Sequence, residues 1–275
     1  MKRLSLAMIL LLPLALSASK TWAQTPAGID PEAIINRILT VDQEQRNQVK
    51  DVVFDAEYVE KDEGDNGSNG EPKEKVRLMK RVYLKYFPDT AWYHEDYTQF
   101  YKEGRLQTSD DLKKEAADRK EKKRRRGALD ISYPMLKPFW ANHRALYTIE
   151  YKGIASEQVD SRSCHHFTVT AKEPADSLFN GDYYFEAVGF HLAKVDFSPS
   201  KLVHRTLFKM SEFNMSLIYT PNLNGQWFPS EFNIQFKAKA MWVIGVKVKG
   251  AEYYRNPIVN SGVEDKVFES DKATE

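Results

Sequence analysis

The chain has 275 residues, with 40 Lys and Arg against 39 Asp and Glu, a net charge of +1 at pH 7 and a hydrophobic share of 42%. Near-neutral charge excludes a molecule built as a whole to neutralise a polyanion, and the hydrophobic share supports an ordinary core in one large β domain or two small ones. The lone cysteine, Cys164, excludes an internal disulfide, so packing must supply the stability.

Lys2 and Arg3 precede an apolar run over residues 4–16 that is broken by Pro13 and too short to span a bilayer comfortably. Thr21-Trp22-Ala23 fits a cleavage site before Gln24, so residues 1–23 read as a secretory signal peptide. No Cys lies near that site, so no lipid-anchored N-terminus is expected. Asp30 is an N-cap candidate, Pro31 suits the first helical position, and Ala33, Ile34, Ile38 and Val41 form a stripe at helical spacing. Such a helix either packs on a sheet or acts as a lid over a cavity, and Ile34 and Ile38 are its lid candidates.

Val52, Phe54, Ala56 and Tyr58 then alternate with more polar neighbours, the pattern of a half-buried strand. Residues 62–75, acidic and rich in Gly and Asn, predict a hairpin loop. Asp62, Asp65 and Asn66 invite a calcium reading, but no Glu stands twelfth from either Asp and the EF-hand pattern fails. Residues 76–87 and 91–101 predict a strand pair turning at Pro88-Asp89.

Over Ser109–Arg126 the composition switches to strong helix formers, with Ser109 as a candidate cap and few apolar residues. Seven of the eight residues from Arg119 to Arg126 are basic. The run is either a solvated helix end or a contact for anionic lipid heads or an acidic partner. Arg124, Arg125 and Arg126 are the contact candidates. Nucleic acid, the common target of basic runs, sits poorly with export. Residues 133–140, with Pro134, Met135, Leu136, Pro138, Phe139 and Trp140, predict a short docking segment. Phe139 and Trp140 are further lid candidates.

From there the chain reads as strand after strand: 146–151, 159–171, 181–185, 190–197, 203–213, 215–219, 227–238 and 242–248, with turn signals including Asn224-Gly225 and Gly250. In 227–238, Phe228, Phe232, Ile234 and Phe236 share one face with Ala238, opposite Glu231, Asn233, Gln235 and Lys237. That apolar face either buries a packed core or lines a cavity, and its four bulky residues are the cavity-lining candidates. Residues from 261 onward are charged and predict a frayed tail.

Catalytic motifs are missing: no GxSxG, HExxH, P-loop or GxGxxG after a strand. Cys164-His165-His166 is the most tempting triplet, but adjacent strand residues face opposite ways, so the two histidines cannot easily share a metal. No catalytic residue, metal site or cofactor is assigned, and the chain is expected not to be an enzyme.

The order of elements resembles the LolA-like superfamily of exported bacterial proteins, which includes a periplasmic lipoprotein carrier and lipoprotein-sorting-like proteins. The likeness rests on the leader, the early amphipathic helix and the helical insertion. It rests also on the strand 159–169, the turn and aromatic strand Asn180-Gly181-Asp182-Tyr183-Tyr184-Phe185, and Gly225-Gln226-Trp227-Phe228-Pro229-Ser230 at the start of a late strand. The resemblance implies an α+β, mainly antiparallel fold: an incomplete, unclosed β-barrel in a single domain over 24–260, with helices covering an apolar concave face. It implies a periplasmic carrier of lipid, lipoprotein acyl chain or other amphiphile. A non-enzymatic interaction or sensor module with an envelope protein partner is the alternative, and a hydrolase a distant third. It carries no site residue over.

Overall fold

The computed structural model describes residues 30–66, 72–87, 90–126, 131–132, 134–202, 204–205, 208–240 and 244–269. The leader, the tip of the acidic loop, the turn at Pro88-Asp89 and residues 270–275 lie outside them. The first helix, α1 (Pro31–Gln48), begins as its sequence dictates: the Asp30 carboxylate accepts the Glu32 N–H at 3.0 Å and Pro31 occupies the first turn.

Twelve strands follow among the described residues. They are β1 (Asp51–Asn66), β2 (Pro72–Tyr86), β3 (Ala91–Lys102) and β4 (Arg105–Leu106), then, after α2 (Ser109–Arg126), β5 (Tyr147–Ile154), β6 (Cys164–Ala171), β7 (Phe179–Glu186) and β8 (Leu192–Pro199). The last are β9 (His204–Arg205), β10 (Phe208–Pro221), β11 (Trp227–Ala240) and β12 (Ile244–Val259). All pair antiparallel in one sheet of order β4-β3-β2-β1-β12-β11-β10-β8-β7-β6-β5, with β9 against β10. β4 and β5 do not meet, so the fold is α+β with an unclosed barrel.

Period-two alternation sends one side chain in two to the inner face. Val52, Phe54 and Ala56 of β1 stand level with Leu84, Val82 and Lys80 of β2, and Phe232 and Ile234 of β11 stand level with Leu217 and Met215 of β10. Ile34, Ile35 and Ile38 of α1 press onto this face. The 3₁₀ turn Lys137–Phe139 adds Phe139, whose ring meets Phe167, Tyr183 and Phe185 edge-on at centroid distances of 5.9, 5.2 and 5.6 Å.

Three expectations need correction. Gly250 is no turn: it lies inside β12, level with Glu60 and Ile234. Its missing side chain is what lets Tyr58 and Ile234 close over it, since a Cβ there would stand 3.0 Å from Ile234 Cγ2 and 3.1 Å from Tyr58 Oη. The α2 cap is Thr108 and not Ser109: Thr108 Oγ1 accepts the Asp111 N–H at 3.2 Å while Asp111 accepts the Thr108 N–H at 3.3 Å. Residues 261–269 pack instead of fraying. The buried Asp51 carboxylate accepts the N–H groups of Ser261 and Gly262 at 2.8 and 3.2 Å, and Phe268 is 1% exposed with its ring 5.8 Å from that of Trp92. Charge in that stretch concealed one apolar anchor.

Replacing Phe268 with Ala should therefore cost about 3–5 kcal/mol of stability, the range for emptying a buried aromatic site, read as a lower urea midpoint. A change below about 0.5 kcal/mol, as at an exposed position, would refute the docking of this segment.

Candidate functional site

The inner face of the sheet is chemically divided. Its apolar half lies under α1 and Phe139. Ile34, Ile38 and Phe139 are buried there, at 6%, 1% and 1% exposure, and Trp140 is half-buried beside His143. Ile34, Ile38 and Phe139 belong to the main core cluster, Trp140 does not, and α1 packs on the sheet. A bidentate ion pair from Arg144 to Glu32 ties the segment after Phe139 to the start of α1, one arm measuring 2.7 Å. The pair is largely exposed, and the Arg144 hydrogen bond holds the Glu32 carboxyl below its ordinary value.

The four cavity-lining candidates separate. Phe228 is buried and meets Phe54 edge-on at 5.9 Å. Phe232 and Ile234 are partly buried against the core, and partly buried Phe236 meets Phe213 at 6.5 Å. Phe213, Phe232, Ile234 and Phe236 thus form a strip that α1 and Phe139 leave incompletely covered.

The other half is ionic, and the sequence reading missed it. Lys80 stands in the inward phase of β2 between Leu78 and Val82, its side chain 4% exposed. Its Nζ lies 2.8 Å from Glu252 of β12 and against Glu95 of β3, which also accepts the Tyr97 hydroxyl at 2.7 Å. Burial alone would push the ammonium down, but the Glu252 and Glu95 carboxylates together hold it above its ordinary value and charged. A signal was available: Leu78, Lys80, Val82 and Leu84 form an inward alternation with one polar break. The two acids come from strands 15 and 172 residues away, a pairing only topology reveals.

α2 covers this end. Leu112, Glu115, Ala116 and Arg119, at helical spacing, are half-buried, as is Glu121. The Arg119 guanidinium lies 4.6 Å over the Tyr58 ring, with its Nε donating to Glu115 at 2.7 Å. Arg119 is thus part of the fold. Arg124, Arg125 and Arg126 complete the helix backbone, and their side chains lie outside the described residues.

Cys164 and the two following histidines occupy separate surroundings. Cys164 is fully buried, and burial pushes its thiol up, away from the reactive thiolate. His165 is buried with its Nδ1 3.0 Å from Tyr151 Oη, whereas His166 stacks on Tyr184 at 4.7 Å with Nε2 2.7 Å from Asp182. Among the described residues no group of three or more His, Cys, Asp or Glu side chains is placed to hold a metal ion, and no helix is long and apolar enough to cross a membrane.

No family model matches the sequence, and no curated protein matches it. Among solved structures three likenesses are found. A DUF1329 family protein from Desulfovibrio piger is 13% identical, covering 90% of this chain and 100% of that one, with a TM-score of 0.47. A domain described as an outer membrane lipoprotein-sorting protein domain from Vibrio parahaemolyticus is 11% identical over 86% and 98% of the two chains, with a TM-score of 0.39. A LolA superfamily protein from Nitrosomonas europaea is 10% identical over 88% and 99%, with a TM-score of 0.36. At such identities and TM-scores nothing is argued from them, and no residue role passes from them to this chain.

Two predictions arise from this geometry. Lys80→Met leaves two inward carboxylates without their cation and should cost about 3–5 kcal/mol in chemical denaturation; a loss below 1 kcal/mol would show the cluster to be solvated. Burial also pushes His165 and His191 below the ordinary histidine value of 6.5. Below that value the unfolded chain takes up protons that the folded chain refuses, so stability is complete above it and declines as pH falls through it. The melting temperature should drop between about pH 7.5 and 5.5. The double variant His165→Gln, His191→Gln should show a shallower drop, and an equal drop would clear both histidines of the effect.

Proposed function

We propose that this protein is a non-enzymatic envelope protein that binds the acyl or other apolar chain of an amphiphile against the concave face of its unclosed sheet. The observation that carries the reading is the strip Phe213, Phe232, Ile234 and Phe236: large side chains on the inner face, left partly open between the α1 and Phe139 cover and the ionic end. Strips of this kind gain by burial, at about 25 cal/mol for each Å² removed from water. The leader and the basic end of α2 fit a periplasmic carrier working near anionic lipid heads.

Native mass spectrometry of the mature protein, purified gently from a bacterial periplasm, tests this directly. A defined extra mass that extracts into organic solvent is expected, and Phe236→Ser should weaken uptake of the extracted amphiphile by roughly tenfold, the equivalent of about 1.4 kcal/mol of lost burial. A clean apo mass with no uptake of added lipid would overturn the carrier reading and favour a protein-binding module on the same scaffold.

A further inference from the structure

A crevice of about 100 Å³ opens between the last turns of α1, residues 131–136 and the adjoining ends of β2, β8, β10 and β11. A bound water needs about 10–15 Å³ on such a measure, so the space suits several waters or one small polar group. The Gln45 carboxamide fixes the helix side of it, donating to the Trp227 carbonyl and accepting the Trp227 N–H, both at 2.8 Å.

Three donors line this crevice. Arg46 makes a single hydrogen bond among the described residues, from Nε to Asp42 at 2.8 Å, which leaves the Nη edge of its guanidinium unused. Tyr86 and Tyr219 bring two phenols, and neither hydroxyl has a hydrogen-bond partner among the described residues. Burial pushes Tyr86 up to about 12 and Tyr219 upward as well, so both hydroxyls stay protonated and can donate. All three residues are half-buried, and a guanidinium edge with two phenols suits an acceptor-rich group.

The charge balance narrows the class. Asp42 offsets Arg46, and burial disfavours a charge on His191, the remaining titratable lining group apart from the phenols. That near-zero balance disfavours a dianion most, and one negative charge spread over two coplanar oxygens matches the geometry of the Nη edge. The opposite wall is apolar: Ile38, Met135 and Leu136, which also belong to the main core.

We propose that this crevice is a carboxylate site, in which the Nη edge of Arg46 and the hydroxyls of Tyr86 and Tyr219 receive the two oxygens, with Asp42 positioning Arg46. Ile38, Met135 and Leu136 extend the wall toward the core, so the carboxylate is best supplied by an amphiphile such as a fatty acid. This deepens the function proposed above and rests on it for the chain, though not for the head group.

Titration calorimetry of the full mature protein with decanoate, decanol and acetate separates these parts. Decanoate should bind, and Arg46→Gln should weaken it at least tenfold while leaving decanol unchanged. Tyr86→Phe with Tyr219→Phe, which keeps the packing, should weaken decanoate several-fold, with unaltered circular dichroism and melting temperature as the fold control. Acetate binding with the same sensitivity to the variants would support the site and assign it to free small carboxylates. Decanoate affinity indifferent to both variants would overturn the carboxylate site. So would uptake of decanol or of zwitterionic lipid without decanoate, which leaves the carrier reading standing; no binding of any of them would remove both.

Discussion

An open curved sheet has one apolar face and no second sheet to bury it against, and everything else in this molecule answers to that constraint. Strands from β1 through β12 and on to β6 send large side chains inward, and a closed barrel would have hidden them from one another's solvent. Because β4 and β5 do not meet, cover must come from elsewhere in the chain. α1 supplies three isoleucines, and the Lys137–Phe139 turn inserts one ring among three aromatic neighbours. Both pieces are short relative to the face they cover, and this is why the Phe232 to Phe236 strip is partly open.

The ionic end is the counterpart of that shortage. Burying Lys80 between Glu95 and Glu252 is an expensive way to fill a sheet interior, since apolar side chains of similar volume commonly do as well or better. Lys80 stands within the inner face, between the buried Leu78 and Val82, and α2 is laid over this region through Arg119 and Tyr58.

Much of this fold was legible because strands advertise their faces. The alternation in 52–58 and 227–238 placed Phe54, Phe228 and Phe232 on the inner side, and the Asp30-Pro31 signal placed the start of α1. What could not be read were pairings across the chain. Tyr86 and Tyr219 are ordinary strand-end tyrosines in sequence, 133 residues apart, and share a crevice with the last turns of α1 only in the fold. Gly250 misled for a physical reason: glycine marks turns through its backbone freedom, but here it serves through its lack of a side chain, a role only the neighbours Tyr58 and Ile234 disclose. Phe268 was hidden by composition, because one anchor among charged residues leaves no periodicity to detect.

Ile38, Met135 and Leu136 join the two halves of the functional argument, since each is at once a core residue and a wall of the Arg46 crevice. Protein interiors are packed near crystal density, so a chain entering past these residues cannot simply add volume. Met135 and Leu136 belong to a segment with little regular structure of its own, and Met is the side chain that repacks most readily. α1, by contrast, is held by Gln45 at one end and by the Glu32 to Arg144 pair at the other. The element that yields should then be the 134–140 segment and not the helix.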